Sequence, residues 1–274
     1  MQWNKAKTIL ILFFLAVNIF LAAFLIVSVK TSDALTPEII SATVSTLENN
    51  NIYINTDIIR SGPKTMLMTE LENVMQNNDD FAKRLLGEDA SEIDENTYTN
   101  GSKTLIVNAD SFTFTDTVPN ASINITDGNV KAKAVDELAK IGIKANQNNV
   151  YEVINAGNVY KLKLMDALKD YPVYSSVIEL HISSNGIQYL SGCWFNHNTD
   201  FNANKVKTKN IAGVLIDFIS DGERNKDGQT VIKDLSAGYY IEDTNSIFHR
   251  SATAVPVWKI TCEDAVYYVD ARAN

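Results

Sequence analysis

The chain has 274 residues with 24 basic and 33 acidic side chains, a net charge of −9, and 45% hydrophobic residues. Three of the basic residues (Lys5, Lys7, Lys30) and none of the acidic ones precede residue 31, so residues 31–274 carry 21 basic against 33 acidic side chains, a net −12. Such a balance argues against recognition of nucleic acid or of an anionic polymer by charge alone, and two cysteines are too few for a disulfide framework.

The first feature along the chain is "TILILFFLAVNIFLAAFLIVSV", Thr8 to Val29, 22 residues without a formal charge. At about 1.5 Å of rise per residue a helix of this length crosses a hydrocarbon core about 30 Å thick. The run exceeds the roughly 7–15 apolar residues of a secretory signal, and the nearest cleavage-like pattern, Ser32-Asp33-Ala34, lies well beyond it. A single-pass anchor is therefore expected, with Lys5, Lys7 and the amino terminus holding the short end in the cytoplasm and the remainder extracellular. Ile11, Leu15, Asn18, Ala22, Leu25 and Val29 form one stripe at helical spacing. An amide in hydrocarbon needs a partner and a small residue allows close helix approach, so the stripe is a candidate partner-binding face. Simple tolerance of one Asn in an anchor is the competing explanation.

Beyond the anchor, "TPEIISATVSTLENNN" predicts a helix from Leu35 to Asn49, with Thr36 as N-cap and Pro37 in its first turn. "IYINTDII" alternates as a strand. A second helix is predicted from Lys64 to Leu86, with Met68, Leu71, Val74 and Met75 on one face and a stop at Gly87. "EDASEIDENTYTNG" reads as an acidic loop and "KTLIVNADSFTFTD" as one or two strands.

After the polar stretch "PNASINITDGN", a helix begins near Val130 with Ala134, Val135, Leu138 and Ile141 facing inward. "VYEVIN", "VYKLKLM" and "VIELHISSNGIQYLSGCWF" follow as strands, the last divided by the turn signal Asn185-Gly186. A helix "NIAGVLIDFIS", a polar loop, the strand "VIKDLSAGYYIED" and a hairpin "AVPVWKITCEDAVYYVDA" complete the chain. Pro172-Val173-Tyr174 and Pro256-Val257-Trp258 each open a hairpin, a faint internal echo. The pattern predicts an α+β class in which helices pack on antiparallel sheets, with a cytoplasmic tail (1–7), a transmembrane helix (8–29) and two extracellular α+β units (30–125 and 126–274); the hairpins of the second resemble those of PepSY domains.

Enzyme chemistry is thinly represented, and no catalytic residue and no cofactor is expected. His181, His197 and His249 fall in no metalloprotease pattern, and no serine lies in G-x-S-x-G. His181 reads as an ordinary strand residue. Cys193 and His197, four apart, lack further zinc ligands. Glu223, Asn225, Asp227, Gly228 and Asp234 stand at positions 1, 3, 5, 6 and 12 of a calcium-type loop. Glu opens it where Asp is usual and Asp closes it where a bidentate Glu is usual, so a polar turn is the expectation and no metal is assigned. Cys193 and Cys262 can oxidise to a disulfide only if their strands adjoin.

The order of these features carries a family resemblance. "MQWNKAKTI" entering one anchor, then "DYPVYSSVIELHISSNG", "VIKDLSAGYY" and "VPVWKITCEDAVYYVDA", resembles the YycI/YycH family, closer to YycI. The departures are an inserted Ala237 in "LSAGYY", which bears on the register of that strand, and the two cysteines. The resemblance implies a non-catalytic accessory protein of Gram-positive bacteria that regulates a sensor histidine kinase of the WalK (YycG) two-component system and so contributes to cell-wall homeostasis. It further implies that the anchor lies beside the kinase's membrane helices and that the exterior domain pairs with a YycH-like sister protein. Two other classes are carried alongside it: an extracytoplasmic PepSY-like module that binds or inhibits through a peptide or cell-wall ligand, and a membrane-tethered hydrolase.

Overall fold

The computed structural model describes residues 13–15, 17–21, 35–197, 203–220, 228–242 and 251–273. The chain divides into two compact units, Met1–Gly62 with Lys209–Val231, and Pro63–Thr208 with Ile232–Asn274. The expected boundary near residue 125 falls inside the second unit, where strands on either side of it pair. Helices are α1 (Pro37–Glu48), α2 (Asn78–Leu86), α3 (Val130–Lys140) and α4 (Ile211–Ile219). Among the described residues no helix is long and apolar enough to cross a membrane. Of the apolar run, residues 13–15 and 17–21 are described, all helical.

In the first unit α1 starts as expected, with the Thr36 hydroxyl accepting from the Ile39 N–H at 3.4 Å and Pro37 in the first turn. It packs on α4, which Asn210 caps by accepting from the Gly213 N–H at 2.8 Å. The strand expected in "IYINTDII" is short. After β1 (Ile52–Ile54) the Asn55 side chain accepts from the Asp57 N–H at 3.0 Å and turns the chain into a 3-10 helix, Thr56–Ile58.

The second unit is dominated by one sheet. In chain order its strands are β2 (Thr65–Asn73), β3 (Ser91–Asp94), β4 (Thr97–Asn100), β5 (Lys103–Val107) and β6 (Phe112–Asp116), then β7 (Val150–Asn155), β8 (Tyr160–Leu168), β9 (Tyr171–Ser183) and β10 (Gly186–Gly192). They are followed by β11 (Phe195–His197), β12 (Asn204–Lys207), β13 (Thr230–Glu242), β14 (Ser251–Cys262) and β15 (Val266–Asp270). The main path runs β11-β2-β14-β13-β9-β10-β6-β5-β4-β3, with β7 and β8 continuing from β9. Among the described residues the strands of this unit pair antiparallel with one another except for a parallel contact of Tyr239 on β13 with Val173 on β9, so the sheet is mixed where antiparallel sheets were expected. Beside that contact, a Cβ on Gly238 would collide with the Tyr174 ring and come 2.7 Å from the Pro172 carbonyl oxygen, so glycine is what lets the strands approach.

Helices α2 and α3 cover one face of the sheet. Phe81, Leu85 and Leu86 of α2 and Ala134 and Leu138 of α3 share a core with Leu105, Phe112, Leu162, Leu180 and Leu190. Each fully buried leucine contributes roughly 1.5–3 kcal/mol of transfer free energy. The inward residues predicted for α3 hold their places: Ala134, Leu138 and Ile141 are buried and Val135 is half-buried.

Two local expectations are overturned here. Residues 64–86 were expected as one helix but divide into β2 and α2, the break falling where the Asn77 side chain accepts from the Asp80 N–H at 3.2 Å. Met68, Leu71, Val74 and Met75 mimic helical spacing, yet β2 lies between β14 on one edge and β11 and β12 on the other, and that pairing overrides local preference. The acidic segment expected as a loop forms the β3–β4 hairpin, turning at Asn96 with φ 57°. Exposed charged side chains suit an edge strand, where they discourage further pairing. The register around Ala237 is unbroken: Ala237 faces Trp258, and the irregularity lies between Ile232 and Asp234.

Candidate functional site

The face of the sheet opposite α2 and α3 is built by strand alternation. On β9 the core takes Ile178, Leu180 and Ile182, which turns Glu179 and His181 outward. Cross-strand register then lines up Lys161, His181, Tyr189, Thr115 and Thr104 across five strands, with Lys163, Glu179, Ser191, Thr113 and Ile106 in the neighbouring row.

Contacts within the rows hold these groups in place. His181 Nε2 lies 2.7 Å from Glu179 Oε1, and its ring sits 4.8 Å from that of Tyr189. Lys163 pairs with Glu152 at 2.8 Å, which raises the lysine's pKa, first through the hydrogen bond and then through the charge of Glu152. Hydroxyls alternating with paired charges and an aromatic ring suit a polar protein contact. Gly192 ends the β10 edge: its φ is 133°, and a Cβ there would collide with the Val177 carbonyl oxygen.

Farther along the sheet, Tyr174, Tyr240 and Tyr268 form a chain of rings, with centroids 5.4 Å (Tyr174–Tyr268) and 4.8 Å (Tyr240–Tyr268) apart. Lys259 Nζ stands 5.3 Å from the Tyr174 ring centroid, within cation–π range. The Tyr174 hydroxyl lies 3.1 Å from Ser236 Oγ. Burial raises the pKa of both Tyr174 and Tyr268.

A separate pair, a buried carboxylate with an exposed imidazole, joins β8 to β11. Asp166, placed where the β8–β9 register shifts, accepts from the Ala167 N–H at 2.8 Å with one carboxylate oxygen. Its other oxygen lies 2.8 Å from His197 Nε2. The hydrogen bond to Asp166 raises the His197 pKa, and the partial burial that opposes it is the smaller effect.

The residues singled out from sequence are distributed as follows. In the proposed membrane stripe, Leu15 and Asn18 are helical and exposed, while Ile11, Ala22, Leu25 and Val29 lie outside the described residues. So do Glu223, Asn225, Asp227 and His249. Asp234 is an exposed residue of β13 opposite Thr261. Cys193 is a half-buried free thiol whose pKa burial pushes up to about 12, and Cys262 is a buried residue of β14. His197 was considered with Cys193 but pairs with Asp166, 31 residues away. Neither Asp166 nor Tyr189 was singled out from sequence. Alternation in β9 and β10 signals the Glu179, His181 and Tyr189 rows, but no local signal marks Asp166.

No family model matches the chain, and no curated protein matches it. Among solved structures it is similar to YycH from Bacillus subtilis, with 14% identity, 76% of this chain and 53% of that one covered, and a TM-score of 0.44. The chain thus spans about half the length of that protein. It is also similar to an uncharacterized protein from Eubacterium rectale, with 12% identity, 81% and 83% coverage and a TM-score of 0.41. A third similarity is to the YpeB C-terminal domain of Bacillus megaterium, with 10% identity, 72% and 92% coverage and a TM-score of 0.31. Identities and scores this low leave function to be argued from the chain's own residues.

Proposed function

We propose that this protein is a membrane-anchored accessory regulator of a sensor histidine kinase of the WalK (YycG) kind. In this reading it acts without catalysis and without a cofactor, through helix contacts in the membrane and extracellular contacts with a YycH-like sister protein. The observation that carries it is the charge-free run Thr8–Val29 with Asn18 inside it, preceded by Lys5 and Lys7 and followed by an acidic domain. The outer rows of the sheet, polar and ordered by Glu179–His181 and Lys163–Glu152, support a role in protein contact. Such a regulator needs only to bind one kinase conformation better than the other, and a difference of about 1.4 kcal/mol shifts that equilibrium tenfold.

The test is in the anchor. Asn18→Leu removes the amide that needs a partner, and Ala22→Ile adds bulk where helices would approach, while both keep the segment apolar. The double variant should still insert but should lose co-purification with the kinase, and the two effects should not add because the positions lie one turn apart. Phe13→Leu with Phe20→Leu, off the stripe, should leave association unchanged. Equal association for the two double variants refutes the contact surface. Digestion of the exterior domain by protease added to intact protoplasts tests the orientation separately.

A further inference from the structure

Where α2 and α3 meet the end of the sheet, they enclose with β6 and the β9–β10 turn a cleft of about 230 Å³. Phe114 and Ile187 of the sheet, Leu85 of α2 and Ile141 after α3 supply the apolar part of a lining that is otherwise polar and charged. The segment before α3 forms its lip and is fixed in place: the Ala121 N–H donates to the Asn185 carbonyl and the Ile123 N–H to the Ser184 carbonyl, both at 2.8 Å. Gly186, with φ 117°, makes this approach possible, since a Cβ there would lie 3.2 Å from Ala121 Cβ.

The charges around the cleft are unevenly engaged. Glu137 is held by Lys140 at 2.6 Å, and Asp116 accepts from the Ser102 hydroxyl at 2.6 Å and the Val118 N–H at 3.0 Å. Arg84 donates to the carbonyls of Val74 at 2.9 Å and Ile141 at 3.3 Å, so its charge meets neutral groups there. Lys103 faces Asp116 across β5 and β6, yet forms no salt bridge among the described residues.

We propose that this cleft binds an apolar group of side-chain size that carries a carboxylate. The apolar part lies against Phe114, Ile187, Leu85 and Ile141, and the carboxylate accepts from Lys103 in the positive potential of Arg84. The volume sets the size: about 230 Å³ is below the ~300–1,000 Å³ of sites for larger ligands. The sign of charge follows from the balance of the lining, where Arg84, Lys103 and Lys140 stand against Asp116 and Glu137, and Glu137 is held by Lys140. The proposal is independent of any contact with a kinase.

The full chain in lipid nanodiscs, with isotope-labelled isoleucine methyl groups, is titrated with N-acetylphenylalanine and with its uncharged amide. Saturable shifts of the Ile141 and Ile187 methyl signals are expected with the acid, and about tenfold weaker binding with the amide. Lys103→Gln should remove that preference for the acid. Asn120→Trp, a change at an exposed lip residue, should block both ligands while the remaining methyl signals stay in place. No saturable shift, equal affinity for acid and amide, or unchanged binding in Asn120→Trp would each overturn the site.

Discussion

His197 Nε2 and Asp166 Oδ2 lie 2.8 Å apart and tie β11 to the irregular point of β8, joining two strands that do not neighbour each other along the sheet path. The Asp166 side chain is 6% exposed and that of His197 is 41% exposed, so the carboxylate is the buried partner and the imidazole its link to solvent.

This pair makes stability depend on pH. The folded-state pKa of His197 lies above its ordinary 6.5, first because of the hydrogen bond to Asp166. The protonated pair therefore stabilises the fold fully below pH 6.5, and this contribution is lost as pH rises through the raised value. With the imidazole partly exposed and screened, the loss should be about 1 kcal/mol. Urea unfolding across that range should show the decline in the native chain and a flatter profile in His197→Gln. Identical slopes would rule the pair out as the source.

Gly238→Ala should destabilise the second unit by about 1–3 kcal/mol, because its methyl group would enter space held by the Tyr174 ring and the Pro172 carbonyl. Thermal unfolding measures this. An unchanged midpoint would mean that β13 and β9 separate at no cost.

Cys193 should be inert in the folded protein. Burial first, then the charge of Asp110, raises its pKa to about 12, so almost no thiolate exists near neutral pH. Iodoacetamide should leave it unmodified under native conditions and alkylate it after denaturation, as read by peptide mass spectrometry. Rapid native alkylation would contradict the burial.

A chain ending after Asp243 lacks β14, which lies between β13 and β2, and also β15, which pairs with it. The truncated second unit should lose cooperative unfolding, because two long strands would be left with open edges. A transition as sharp and at the same temperature as in the full chain would show that the terminal hairpin is dispensable.

The sequence by itself determined the elements whose signals are local. Thr36 and Pro37 mark the start of α1, the spacing of Ala134 and Leu138 marks the inner face of α3, and Asn185-Gly186 marks the turn from β9 to β10. Within these segments neighbouring residues satisfy each other's backbone groups and define one apolar face, so period and capping are enough. Tertiary structure alone decided that residues 65–73 extend, that an acidic stretch forms the β3–β4 edge, and that Asp166 meets His197. Those outcomes depend on partners far away in the chain: a strand's backbone hydrogen bonds are completed by another segment, and a buried carboxylate by whichever group the sheet order brings beside it.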